Sequence, residues 1–293
     1  MGIYTETMAA HCRLIEEALP QYLPQKNMLQ GVVCDAMHYA CEGGGKRIRP
    51  VLTLEFCRLL GGNVTDALPF AAGVEMIHSY SLIHDDLPCM DNSPLRRGKP
   101  SVFMQYGEDM ALLAGDALLN RAFEVMLCAN TPADITVRAA KVMADAAGIM
   151  GMVGGQVIDL ESEGKGIDLA TLEALQDGKT AALLRAACAM GAIVGGGNDT
   201  HIAAAAAFGE HIGLAFQMID DILDVTATAE ALGKPVGSDS DNEKITYVSL
   251  LGVEETRRRA AEHTAAAVKA LQAFDGDTAH LAALAKALLT RDH

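Results

Sequence analysis

The chain has 293 residues, a formal net charge of −15, and a composition that is 50% hydrophobic but only 4% aromatic. Ala, Leu and Met dominate, β-branched runs are scarce and no stretch reads as a linker, so a single large helical domain is expected. The acidic balance argues against nucleic acid as a partner, since such partners require clustered Lys and Arg, and seven cysteines without C-x-x-C spacing predict reduced core thiols rather than a disulfide framework.

No basic-then-apolar leader opens the sequence and no stretch reaches about 18 charge-free apolar residues. A soluble, cytoplasmic protein without stable membrane insertion is the expectation. Apolar spacing predicts amphipathic helices near 8–19, where Leu14, Ile15 and Leu19 share a face, and near 28–41. Between these and the next helix lies Gly43-Gly-Gly-Lys-Arg-Ile-Arg-Pro50. Its glycines let backbone approach a ligand closely, and Lys46, Arg47 and Arg49 concentrate positive charge. Taken alone, the stretch reads equally well as a solvated loop.

A long helix is predicted from about Asp66 to Leu87, with Ala71, Val74, Ile77 and Leu82 at helical spacing. His78 and Asp85 are two turns apart on it and nearly eclipsed, so one face carries both. By itself His78 reads as a core histidine. At the end of this helix Asp85, Asp86 and Asp91 are followed by Arg96 and Arg97. At an effective dielectric of about 20, two carboxylates ~4 Å apart repel by about 4 kcal/mol, so the cluster is either solvated or holds a cation. The arginines beyond it suggest an anion shared between metal and guanidinium. Pro88 disfavours helical geometry at Leu87. That break is required, because an unbroken helix would turn Asp91 about 120° away from Asp85.

Helices should follow at about 109–129 and from Thr131-Pro132, with Thr131 as N-cap and Pro132 in the first helical position. Gly151-Met-Val-Gly-Gly-Gln-Val-Ile-Asp-Leu160 reads first as a close-packing helix surface that also carries Gln156 and Asp159. Asp168 should cap a helix running to about Val194, in which Lys179-Thr180 sits among apolar residues. A lysine there either snorkels or, pointing inward, needs an anion. Glycines 195 to 197 end that helix, and Asp199-Thr200 is the predicted cap of the next, which runs through Phe216 to Val225. Asp220, Asp221 and Asp224 fall within an arc of about 100° on it, with no Lys or Arg between Glu210 and Lys234 to relieve them. The loop after it returns Lys234 and Lys244, and two amphipathic helices, about 254–274 and 278–291, close the chain.

Clustered aspartates without neighbouring His or Cys favour a hard cation, Mg²⁺ in particular. The surrounding basic residues match about two diphosphates in charge. Nothing resembles a Walker loop, a dinucleotide-binding glycine fingerprint or a Ser/His/Asp nucleophile system. The residues therefore describe a metal-clamped diphosphate above an apolar interior that excludes water from a cation.

Gly44-Gly-Lys-Arg-Ile-Arg-Pro50, Asp85-Asp-x4-Asp91 with Leu95-Arg-Arg-Gly98, Gly151-Met-Val-Gly-Gly-Gln156, Lys179-Thr180 and Gly213-Leu-Ala-Phe-Gln-x-x-Asp-Asp-Ile-Leu-Asp224 together resemble the trans-isoprenyl diphosphate synthases of bacterial type, in the polyprenyl synthetase family. The likeness extends over essentially the whole chain and is strongest to farnesyl-forming members. It implies an all-α fold of the isoprenoid synthase type, a single large helical bundle around a central cavity, assembled as a homodimer. It implies three Mg²⁺ with substrate bound, held by Asp85, Asp91 and Asp220 with Asp86, Asp221 and Asp224 in support. Lys46, Arg49, His78 and Arg97 would hold isopentenyl diphosphate. Arg96, Lys179, Lys234 and Lys244 would hold the allylic diphosphate, with Thr180 and Gln217 orienting it and stabilising the cation; the catalytic set is Lys179, Thr180, Gln217, Arg96 and Lys234. Two departures stand out: Ser93-Pro94 replaces two further acids, and Gln176 stands where a His usually precedes Lys-Thr. Product length in the family is limited by the residues four and five before the first Asp, here Ser81 and Tyr80, and Tyr80 predicts a C15 product with C20 as the alternative. A terpene cyclase would replace the second Asp-rich motif, and a non-catalytic subunit would not keep both acid clusters and the basic residues intact.

Overall fold

Local sequence sets where the helices start and stop. Thr5 caps the first by accepting from the Met8 amide, Asn63 accepts from Thr65 at the start of the fourth, and Asp168 accepts from the Thr171 amide at 2.9 Å, as its sequence position predicts. The computed structural model describes residues 5–226 and 244–290. Their order is α1 (Glu6–Tyr22), α2 (Gly31–Glu42), α3 (Ile48–Leu59), α4 (Val64–Asp85), a minimal antiparallel hairpin β1 (Leu95–Arg96) and β2 (Lys99–Pro100), α5 (Val102–Tyr106), α6 (Glu108–Leu127), α7 (Ala133–Ala147), α8 (Met152–Ser162), α9 (Leu169–Gln176), a π-helical turn Asp177–Ala181, α10 (Ala182–Val194), α11 (Asp199–Thr226), α12 (Tyr247–Leu251), α13 (Val253–Ala270) with a 3-10 turn Leu271–Ala273, and α14 (Ala279–Leu289).

α4 has no polar face over most of its length: Phe70, Val74 and Ile77 are buried on one side and Ala71, Met76 and Ile83 on others. A helix apolar all round belongs at the centre of a bundle, and α3, α6 and α10 pack around it. α10 joins two cores. Its Leu183, Ala187 and Met190 pack with α4, while Leu184, Cys188 and Ala192 pack with Phe56 and Phe208 toward α11 and α14. Filling each such core position with a Leu- or Phe-sized side chain contributes about 1.5–3 kcal/mol. The result fixes the C-terminal ends of α4 and α11, which carry the two acidic motifs.

Several boundaries differ from the sequence expectation. α11 is capped by Asn198, whose Oδ1 accepts from the His201 amide at 2.9 Å, rather than by Asp199-Thr200. Pro132 itself is the N-cap of α7, and the Thr131 hydroxyl pairs with that of Thr136. The predicted helix to Val194 is interrupted by the π-helical turn that carries Lys179 and Thr180. Cys34, Cys41, Cys57 and Cys188 are buried free thiols, but Cys89 and Cys128 are exposed. By length and composition α11 could cross a membrane, yet it packs against α10 and α13 and ends in three aspartates.

Candidate active site

The helix break after α4 takes the form Pro88 demands. The Asp91 amide donates to the Asp85 carbonyl at 2.9 Å and the Ser93 amide to Asp86 at 3.1 Å, with Asn92 in the left-handed region at φ 48°. Asp91 is thereby folded back beside Asp85. The hairpin that follows sends the adjacent arginines different ways. Arg96 grips Asp86 through Nε and Nη2, the shortest separation being 2.5 Å, whereas Arg97, with φ 53°, donates to the Gly44 carbonyl. Gly45 suits that contact through its backbone conformation, which side-chain-bearing residues rarely adopt. Its φ is +132°, and a Cβ there would lie 2.8 Å from the Arg97 guanidinium carbon. The glycine-rich loop and the Arg-Arg turn, far apart in sequence, are thus one structure.

Behind this lip lies a cavity of about 670 Å³. Arg49, His78, Asp85, Arg96, Lys179, Thr180, Gln217 and Asp220 supply its polar wall, and Tyr80, Leu82, Met152, Val157, Leu183 and Phe216 are among its apolar lining. Lys46 reaches its rim, with Nζ 6.0 Å from the centre of the Phe216 ring. Residues from α3, α4, α8, the π-helical turn and α11 therefore face one space.

Charge in the wall is unevenly compensated. Burial raises the Asp85 carboxyl above its usual range, Lys179 opposes this and Asp91 adds to it. Burial also raises Asp86, against the pull of Arg96. His78 is held well below the ordinary imidazole range by burial and then by Arg49, Arg97 and Arg96, so it faces the cavity uncharged. Arg49 is pushed down to about 10 by burial, Glu75 working in the other direction, and its Nε has no hydrogen-bond partner among the described residues. Arg47, two positions earlier, is a different object. Its backbone is left-handed at φ 50°, and its guanidinium is consumed by Glu16 at 2.6 Å, Glu75 at 2.5 Å and the Cys41 carbonyl at 2.6 Å. Of the three clustered cations in this loop, Arg47 is structural.

The expected metal set divides as well. Asp85 and Asp220 line the cavity, and Asp91 stands beside Asp85 with Oδ1 3.7 Å from Lys244 Nζ. Asp86 is committed to Arg96. Asp221 and Asp224 are buried, and Asp221 accepts from the Tyr247 amide at 2.8 Å and from Gln217 Nε2 at 3.1 Å. The three aspartates do share a helix arc, but that arc straddles the cavity and the neighbouring α12, so only Asp220 faces the cavity. Among the described residues no three His, Cys, Asp or Glu side chains converge as a preformed metal site. The chemistry of the donors nonetheless fits a hard cation: all are carboxylate oxygens, and a bound Mg²⁺ would relieve the crowding of Asp85 by Asp91 and Asp86.

On the opposite wall the π-helical turn presents Lys179 and Thr180. The Thr180 hydroxyl lies 3.5 Å from Gln217 Oε1 and 3.4 Å from Gln176 Oε1, so Gln176, the departure from the family pattern, joins the same polar group. Lys179 and Lys244 both reach Asp159, at 2.5 and 3.5 Å. Lys234 lies outside the described residues. Tyr80 lines the cavity while being only 6% exposed, its ring edge-on to His84 at 5.7 Å, and Ser81 donates to the His78 carbonyl. It is core and cavity wall at once. Two residues that the sequence reading named only on a packing surface belong to the site: Asp159, and Gln156, whose buried Nε2 has no partner among the described residues and which lines the cavity. The available signal was their place in a glycine-rich helix packed against the lysine turn.

A sequence profile described as Polyprenyl synthetase matches residues 30–285. The chain belongs to the polyprenyl synthetase family. It is 44% identical over 284 residues to the farnesyl diphosphate synthase of Geobacillus stearothermophilus, covering 95% of both chains. It is 46% identical over 289 residues to a heterodimeric geranylgeranyl pyrophosphate synthase large subunit of Arabidopsis thaliana, covering 96% of this chain and 77% of that one. Among solved structures, a Helicobacter pylori geranyltransferase complexed with magnesium and isoprenyl diphosphate superposes with a TM-score of 0.85 at 34% identity, over 97% of each chain. The fold is the all-α isoprenoid synthase fold, and the family activity is trans-prenyl transfer between prenyl diphosphates. Relatives with farnesyl and geranylgeranyl names occur side by side.

Proposed function

We propose that this polyprenyl synthetase family member is a Mg²⁺-dependent farnesyl diphosphate synthase that condenses isopentenyl diphosphate with dimethylallyl and then geranyl diphosphate. The observation that supports this most is one cavity whose polar wall holds Asp85, Asp220, Arg49, Arg96 and Lys179 and whose remainder is apolar. A diphosphate head and a hydrocarbon tail require that pairing.

Arg49, His78 and Arg97, with Lys46 at the rim, would hold isopentenyl diphosphate; His78 offers an N–H without adding charge. Arg96, Lys179 and Lys244, together with Lys234, would hold the allylic diphosphate. Asp85, Asp91 and Asp220 would hold Mg²⁺, with Asp86 fixing Arg96, Asp221 fixing Gln217 and Asp224 in support. When bound, Mg²⁺ supplies positive charge that stabilises the departing pyrophosphate. The Thr180 hydroxyl and Gln217 carbonyl oxygen, 3.5 Å apart, turn lone pairs toward the allylic carbocation, and the apolar walls keep water from it. The isopentenyl double bond attacks that cation and a proton leaves to pyrophosphate.

Tyr80 supports the C15 product, because a buried ring held by His84 limits the wall at that point. A C20 product is the second reading, favoured by the geranylgeranyl name of the Arabidopsis relative. A cytoplasmic homodimer completes the proposal, testable by light scattering of the purified chain. Incubation with isopentenyl diphosphate, geranyl diphosphate and Mg²⁺ should yield farnesyl diphosphate and pyrophosphate. Absence of any longer prenyl diphosphate would remove the enzymatic reading, and mainly C20 product would replace the farnesyl one.

A further inference from the structure

Lys179 and Lys244 come from different parts of the chain, the π-helical turn and the segment leading into α12, yet their ammonium groups meet on one atom. Asp159 Oδ2 lies 2.5 Å from Lys179 Nζ and 3.5 Å from Lys244 Nζ. The meeting is built by the backbone. A Cβ on Gly155 would lie 2.1 Å from the Lys179 amide nitrogen, and one on Gly178 would lie 2.9 Å from the Gly151 carbonyl oxygen, so α8 and the π-helical turn touch without side chains between them. Asp159 is one helical turn beyond Gly155 on the same face. That close approach is what delivers its carboxylate to the lysine instead of to water.

Asp159 is buried. Burial works against its charge, but Lys179 and Lys244 prevail and hold the carboxyl below its usual range. Lys244 Nζ also lies 3.7 Å from Asp91 Oδ1, an acid the proposed function gives to Mg²⁺; Asp159 is the carboxylate common to both ammonium groups, and it removes the repulsion that would drive the lysines apart. Lysine is a point charge on a flexible stem, so its placement costs entropy unless something fixes it beforehand. Lys179 also links two spaces: it lines the large cavity and, with Lys244, Thr180 and Asp159, the smaller pocket beside it.

We infer that Asp159 is a positioning residue, a single buried carboxylate that gathers Lys179 and Lys244 into one clamp so that the allylic diphosphate meets two ammonium groups already in place. The inference rests on reading the cavity as a diphosphate site. Asp159→Asn keeps the shape and removes the charge. It should raise KM for the allylic diphosphate roughly tenfold and leave KM for isopentenyl diphosphate, bound by Arg49 and His78, unchanged. Asp159→Glu, which displaces the charge by one methylene, should give a smaller shift of the same sign and serves as the test should Asp159→Asn not fold. The pair Asp159→Asn with Lys179→Gln should lose less than the two single losses combined, since part of the carboxylate's effect acts through Lys179 and the rest through Lys244. A readout independent of turnover is calorimetric binding of inorganic pyrophosphate with Mg²⁺, expected to weaken by a similar factor in Asp159→Asn. Prenyl transfer absent from the wild type, with that weakening present, would refute the proposed function and leave the clamp standing. Unchanged pyrophosphate affinity in folded Asp159→Asn, an equal rise in both KM values, additive losses in the double variant, or no pyrophosphate binding by the wild type would overturn the clamp.

Discussion

Two positive clusters lie within a few residues of each other, one buried and one on the cavity wall, and they are built on opposite principles. Around Arg47 the protein supplies its own anions: Glu16 and Glu75 meet the guanidinium, and the Arg47 and Glu75 side chains are 1% and 3% exposed. Around Arg49, among the described residues, the opposing carboxylate is Glu75, already paired with Arg47. Arg49, His78 and Arg97 approach one another with Glu75 as the opposing carboxylate, and both Arg49 and His78 are pushed toward their neutral forms. A buried charge with a partner is architecture, whereas a partly desolvated charge on a cavity wall left short of one is a place for an anion brought from outside. The difference between two arginines in one loop thus separates scaffold from site.

The largest effect should come from damaging the self-neutralised cluster. Arg47→Gln strands Glu75 in the interior and should cost about 3–5 kcal/mol of folding stability, read from urea denaturation; a loss near zero would place Arg47 with the ligand-binding residues after all. Next is the acid lip facing the uncompensated cluster. Asp85→Ala should lower turnover at least ~100-fold with the circular dichroism of the wild type, and near-normal rates would show that the metal is held elsewhere.

The comparison also has a pH signature. His78, His11 and His263 all have folded-state pKa values lowered from 6.5, burial being the leading cause in each. Below pH 6.5 the unfolded chain takes up protons that the folded chain refuses, so their contribution to stability is intact above that pH and is lost as pH falls. Each contributes a slope of up to about 1.4 kcal/mol per pH unit, and His78→Gln should flatten the acid limb in a pH series of denaturation curves. An unchanged limb would mean that His78 is free to protonate in the fold. Smallest in energy is Tyr80→Ala, which should deepen the apolar wall and move product from C15 toward C20, a change of about 1 kcal/mol in pocket discrimination read by product chromatography. An unaltered distribution would assign Tyr80 to the core alone.

Much of this was legible in the residues because it is local. Helical periodicity located the bundle, Pro88 announced the break that brings Asp91 to Asp85, and the quoted motifs marked the polar wall. What was hidden depended on packing between distant segments. Nothing in Lys46-Arg47-Ile48-Arg49 says which arginine turns inward to Glu75; a left-handed backbone at Arg47 decides it. The π-helical turn at Asp177–Ala181 has no periodicity of its own to betray it. Asp159 became a lysine partner only because Gly155 lets α8 touch Lys179, and on the predicted carboxylate face Asp221 is taken by the Tyr247 amide and Asp224 is buried, which a single helix cannot reveal.

The central claim is that the positive wall around Arg49 is short of carboxylates because a diphosphate completes it. KM for isopentenyl diphosphate in Arg49→Gln tests this most directly. The account predicts a rise of roughly 10- to 100-fold in a protein whose unfolding midpoint is equal to or above that of the wild type, since a desolvated cation has been removed. An unchanged KM, with stability lost as in Arg47→Gln, would contradict it.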